Sequence, residues 1–145
     1  MIRYIIFLAV ILSAGSYEQA FGQDLRVTVT GIRSDAGQIG VLVFRDEAGY
    51  PSDHKKAVAR AFGEVQDTGA EIKITGLAPG PYVITVMHDE NSNEKLDKDL
   101  FGRPKEGYGV SNDPPPRTFG PPRFEDGLYE FRPDNAEITI RMRYD

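Results

Sequence analysis

The chain has 145 residues, no Cys and no Trp, with 17 basic against 22 acidic residues and a formal net charge of -5. Without Cys there is no disulfide, thiolate metal site or cysteine nucleophile, and two His are too few for zinc sites built on several imidazoles. The acidic balance argues against a nucleic-acid or anionic-membrane partner, both of which need a cationic field, while 40% apolar residues suffice for one core.

Residues 1–22 read as a secretory signal peptide. Arg3 gives the positive start, Ile5 to Leu12 is an unbroken apolar run, and Ala20-Phe21-Gly22 is a small-x-small cleavage pattern. That run is well short of the roughly 20 apolar residues that span a bilayer, so a transmembrane protein is not expected. Residues 23–145 are then one exported domain, periplasmic or extracellular.

Period-two alternation dominates this domain, and helical periodicity is nearly absent. Leu25-Arg-Val27-Thr-Val29 alternates as a strand with one buried face. After the turn Ser34-Asp35-Ala36-Gly37, the run from Ile39 to Phe44 is apolar on both faces, as in a central strand. A short helical turn is expected over residues 51–58, and a third strand over 59–65. Ala70 to Thr75 and Tyr82 to Met87 are the fourth and fifth strands, separated by a Pro79-Gly80 turn. Tyr82 enters its strand just after that turn, where its hydroxyl can bond nearby backbone as in a tyrosine corner. From His88 to Arg123 the chain is rich in Asp, Asn, Gly and Pro, with no apolar period. Strands resume at Leu128–Phe131 and Glu137–Tyr144. The pattern predicts an all-β fold, a seven-stranded antiparallel β-sandwich carrying one long Pro/Gly/Asx-rich loop. A loop well beyond 12–15 residues is normally functional or disordered, and the proline clusters at 114–116 and 121–122 stiffen this one into an ordered excursion.

Within the loop, Asp89, Asn91, Asn93 and Asp97 place side-chain oxygens at positions 1, 3, 5 and 9 of a calcium loop, with the Lys95 carbonyl at position 7. Calcium takes six to eight hard oxygen ligands, and alternating Asx residues on a tight turn supply them. Glu94 stands where the turn prefers Gly, and Leu100 stands where a bidentate Glu closes the loop, so further oxygens would come from Asp99, Glu106 or water. The alternative is an Asx-turn loop whose side chains cap their own backbone.

The blocks Leu77-x-Pro79-Gly80-x-Tyr82, His88-Asp89-Glu90-Asn91-x-Asn93, Lys95-Leu96-Asp97, Gly102-x-Pro104-Lys105-Glu106-Gly107-Tyr108-Gly109 and Ser111-Asn112 resemble the bacterial secreted family called domain of unknown function 2141. The likeness covers residues 25–144. It implies a transthyretin-like or immunoglobulin-like β-sandwich in an exported protein, and no reaction. The resemblance also implies that Gly is common at the places held here by Ser92 and Glu94.

These readings lead to an exported, non-enzymatic module. It has a binding or structural role at the cell envelope through the 88–112 loop, with an envelope protein, peptide or glycan as partner and Ca²⁺ as the one candidate cofactor. His88, Glu106, Tyr108, Ser111 and Asn112 are its candidate binding residues. Tyr108, Phe119 and Phe124 either form an exposed aromatic set or pin the loop onto the sandwich, the second reading being favoured for Phe124. The alternative is a hydrolase using His88, Asp89 and Glu106, although no nucleophile elbow surrounds Ser111. An enzyme needs a cleft at those residues, whereas a binding loop does not.

Overall fold

The computed structural model describes residues 22–144, so the expected signal peptide lies outside the described residues except for Gly22. Eight strands form: β1 (Gln23–Thr30), β2 (Gln38–Phe44), β3 (Ala59–Gly63), β4 (Gly69–Leu77), β5 (Gly80–Asp89), β6 (Tyr108–Val110), β7 (Leu128–Phe131) and β8 (Glu137–Arg141). Among the described residues there is no α-helix, and a single 3₁₀ turn at Glu125–Gly127 precedes β7. No helix there is long and apolar enough to cross a membrane. Residues 51–58, expected to be helical, form separate turns around Gly49 and Asp53.

One sheet has the order β4-β1-β8, and the other β3-β2-β5-β6, with β7 also on β5. The ten-residue β5 is long enough to hold two short partners along one edge, β7 against Gly80–Val83 and β6 against Thr85–Met87. Two expectations are corrected here. The strand count among the described residues is eight rather than seven, because β6 arises inside the Gly-rich stretch, where no apolar alternation announces it. The sandwich is also not wholly antiparallel, since β8 runs parallel to β1, with Val27 opposite Ile138 and Val29 opposite Ile140. Side-chain alternation is the same in parallel and antiparallel strands, so the pattern in the sequence does not distinguish them.

The inward residues form one core. Val27, Val29, Val41, Val43, Ile72, Ile74, Tyr82, Ile84, Val86 and Ile140 are all buried in it, and Ile138 packs half-buried at its edge. The Tyr82 hydroxyl donates to the Ala78 carbonyl at 2.8 Å, the corner expected after the Pro79-Gly80 turn. Gly37 turns the chain into β2 with φ 69°, and a Cβ there would stand 1.9 Å from the Asp89 carbonyl oxygen. Only glycine combines that dihedral with that approach.

The five-stranded sheet is covered on its outer face too. Leu42, Phe44, Val83, Met87 and Val110 point away from the main core and are still buried. Phe44 meets Tyr50 edge-on, Tyr50 meets Phe124 edge-on, and the Tyr50 hydroxyl donates to the Pro122 carbonyl. Phe124 therefore pins the long loop onto the sheet. The two-faced apolarity of β2 has its cause in this roof.

Candidate functional site

The loop leaves β5 at Asp89, a fully buried carboxylate. Its Oδ1 accepts the Asn93 amide at 2.9 Å, and its Oδ2 accepts the Glu94 amide at 2.8 Å and Gln38 Nε2 at 2.9 Å. Asn91 Oδ1 accepts the Asn93 amide, and Asn93 Oδ1 accepts the Lys95 amide. The side-chain amides of Asn91 and Asn93 both donate to the Asp97 carboxylate, at 2.7 and 3.1 Å. These are Asx turns that tie the loop to its own backbone. Ser92 and Glu94 sit at φ 56° and 59°, the left-handed region that disfavours a side chain with a Cβ. Those are the two positions where the family resemblance implies Gly. Among the described residues, no group of three or more His, Cys, Asp or Glu side chains is placed to hold a metal ion.

Glu106, also buried, clamps the loop from its far end. Its Oε1 accepts the Glu90 amide at 3.0 Å, and its Oε2 accepts the Asp97 amide at 3.0 Å. One carboxylate thus holds both ends of the Asx segment by charge-assisted hydrogen bonds. Farther out, Asp99 accepts the Phe101 and Arg103 amides and pairs with the Arg103 guanidinium at 2.8 Å. The Arg103 backbone N–H, with its guanidinium adding to the effect, holds the Asp99 carboxyl below its ordinary pKa.

His88 is fully buried, with Nε2 2.7 Å from the Ala36 carbonyl and Nδ1 2.9 Å from the Tyr144 hydroxyl. A carbonyl only accepts, so the bonding pattern assigns the proton of a neutral ring to Nε2 and makes Nδ1 the acceptor from Tyr144. The Tyr144 oxygen in turn accepts the Arg33 amide at 3.1 Å, and the Arg33 guanidinium lies 4.5 Å from the Tyr144 ring centre. Burial raises the Tyr144 phenol above its ordinary pKa. The hydrogen bond from Arg33 pulls the Glu90 carboxyl below its own. The Tyr144 ring fits because residue 107 is Gly, where a Cβ would come within 2.3 Å of it.

Ser111 is equally occupied. Its hydroxyl accepts the Ile84 amide at 3.0 Å and donates to the Gly127 carbonyl, while Asn112 Nδ2 donates to the Leu128 carbonyl. The pair stitches the end of β6 to the segment leading into β7. No hydrogen bond among the described residues joins His88, Asp89, Glu106 and Ser111 to one another.

A cleft of about 410 Å³ opens elsewhere, between the outer face of the five-stranded sheet and the outer half of the loop. Its floor is Gly40, Leu42, Thr85, Met87 and Val110. Above the floor it is lined by Leu96, Lys98 and residues 101–104 from before β6 and by residues 117–122 from after it, with Pro51, Ser52 and Tyr108 also on the lining. Phe101 and Phe119 are 84% and 85% exposed at its rim, and Leu100, next to Phe101, is wholly exposed. His88, Asp89, Glu106, Ser111 and Asn112 do not line it.

A sequence model of a family described as an uncharacterized protein conserved in bacteria (DUF2141) matches residues 27–139. The chain belongs to this family. No curated protein and no solved structure matches it. Membership in DUF2141 brings no reaction with it.

The residues expected at the site therefore divide. Asp89, Asn91, Asn93, Lys95 and Asp97 do come together, through their Asx turns, and Glu106 closes the same loop. His88 on one side, and Ser111 with Asn112 on the other, serve as buried or backbone-tying groups at two different anchors. Tyr108 alone among them reaches the cleft. No motif in the sequence singles out Phe101, Lys98 or Arg117. Their one signal is an apolar pair, Leu100-Phe101, stranded in a polar loop that offers it no strand or helix period.

Proposed function

We propose that the protein is an exported, non-enzymatic binding module that takes its ligand in the cleft beneath the outer half of the 88–112 loop. The observation that carries this reading is the pair of Phe side chains, 101 and 119, left exposed at the rim of an apolar cleft. A cleft of a few hundred cubic ångströms with apolar walls is the usual form of a small-ligand site. It favours an apolar occupant over a glycan, which needs polar groups along the floor. The hydrolase alternative gains no support, because its candidate residues lie away from the cleft and are held by other partners.

The test is titration of the purified chain with Nile red, a neutral apolar dye. One saturable site is expected, weakened in a Phe101→Ser/Phe119→Ser double variant that melts like the parent. A chain that leaves the dye in water would end this reading.

Calcium is a second proposal, for the same loop. It is supported by the meeting of the Asn91 and Asn93 amides on the Asp97 carboxylate. Rotating those two amides would turn their oxygens toward the point their nitrogens now occupy. The ion would take Asp89, Asn91, Asn93 and Asp97 with the Lys95 carbonyl.

A further inference from the structure

The cleft carries a charge pattern at odds with the whole protein. The chain is net -5, yet no Asp or Glu lines the cleft and three cations do, Lys98, Arg103 and Arg117. Arg103 is answered by Asp99. Arg117 Nη1 donates to the Pro121 carbonyl at 3.4 Å, and neither it nor Lys98 has a carboxylate partner among the described residues. Lys98 and Arg117 reach the lining from chain segments on either side of β6. The floor offers no competing polarity. Thr85 already donates to the Pro51 carbonyl at 2.9 Å, and no buried side-chain polar atom among the described residues lacks a partner.

Resting on the binding-module reading above, we infer that the cleft takes a single-chain amphipathic carboxylate of the fatty-acid class. Its hydrocarbon tail lies over Leu42, Met87 and Val110, and its head meets Lys98 and Arg117 at the mouth. Apolar floor and walls gain by removing the tail from water without asking it for hydrogen bonds. A carboxylate held at the mouth stays partly hydrated, so Lys98 and Arg117 attract it without full desolvation, and Arg117 offers two parallel N–H donors to its oxygens. A volume of about 410 Å³ is near the lower end of small-molecule sites, which suits one chain rather than a two-chain lipid.

The experiment is calorimetric titration of the purified full chain with monomeric dodecanoate, dodecanol and butanoate, and with anionic phospholipid vesicles. We expect one dodecanoate per chain, dodecanol bound about tenfold or more weakly, and butanoate not bound, since a charge-assisted hydrogen bond is worth that factor. In a Lys98→Gln/Arg117→Gln variant the preference for dodecanoate over dodecanol should disappear. Equal binding of dodecanoate and dodecanol by the parent chain would overturn the carboxylate while leaving the apolar module standing. Vesicle binding that is lost in the double variant, without dodecanoate binding, would overturn the free-ligand source. Silence toward dodecanoate and dodecanol alike, together with silence toward Nile red, would remove both readings.

Discussion

Tyr144 Oη sits 2.9 Å from His88 Nδ1, so the chain beyond β8 satisfies a fully buried imidazole at the end of β5. The contact is fixed on the tyrosine side by the Arg33 amide and on the histidine side by the Ala36 carbonyl. Three separate parts of the chain, the β1–β2 connection, the end of β5 and the segment beyond β8, meet on these two rings.

Tyr144→Phe removes the hydroxyl and leaves the buried Nδ1 unpaired. The expected cost is about 1–3 kcal/mol, the penalty of an unsatisfied buried polar group. Urea unfolding of parent and variant checks it. A change below a few tenths would show that water replaces the hydroxyl, and that the tail is not held by this bond.

Glu106→Ala releases the Glu90 and Asp97 amides together. Because both ends of the Asx segment are freed and the sandwich core is untouched, the expected effect is local. Limited proteolysis should cut between residues 90 and 105 in the variant and spare the parent, with far-UV circular dichroism unchanged. Global unfolding of the variant would show that the clamp is part of the core's cooperative unit.

Glu94 occupies a left-handed conformation at φ 59°, a position a Cβ disfavours by roughly 1–2 kcal/mol. Glu94→Gly should therefore raise stability, by about 1 kcal/mol once the extra freedom glycine gains in the unfolded chain is subtracted. If the loop also takes Ca²⁺, the parent should bind with a dissociation constant of about 10⁻⁴–10⁻³ M, as expected for few formal ligand charges. Glu94→Gly should tighten it and Asp97→Ala should abolish it. Calorimetry with no heat up to several times that range would retire the ion and leave the Asx turns.

The acid limb of stability should depend on Glu90. Its folded-state pKa lies below the ordinary value because Arg33 donates to it. A depressed carboxylate contributes stability that is present above its unfolded pKa, about 4.3, and lost as pH falls through the folded value. Glu90→Gln should be less stable than the parent at pH 6. The gap between the two should narrow as the pH is taken below about 4, because the parent alone loses this contribution. Urea midpoints at the two pH values decide it, and a constant gap would assign the contribution to packing instead.

How much was legible in advance differs by region. The alternation through Val27 and Val29, Ile72 and Ile74, and Tyr82 to Val86 reported their burial correctly, since one face of each strand must meet the core. The Pro79-Gly80 turn announced the Tyr82 corner, and the Asx residues announced a tight turn after Asp89. β6 is not legible in advance because it has three residues, one of them Gly109 and with Gly107 before it, and its strand character comes from pairing with β5 and with Arg143. The partner that satisfies His88 is illegible for a similar reason. That partner, Tyr144, is 56 positions away, and nothing local to either residue points to the other.

The sequence by itself determined which residues are inside, because burial leaves a periodic trace along each strand. It also determined where the regular pattern stops and the loop begins. Only the tertiary structure decided the direction of β8 beside β1, the closing of the Asx loop by Glu106, and the placement of a cleft on the outer face of the sheet. Each of those depends on segments far apart in the chain arriving at one place. Composition and spacing carry no record of such meetings. Lys98 and Arg117 are the plainest case, since in the sequence they are two cations among 17, and only the fold brings both to the lining of one cleft.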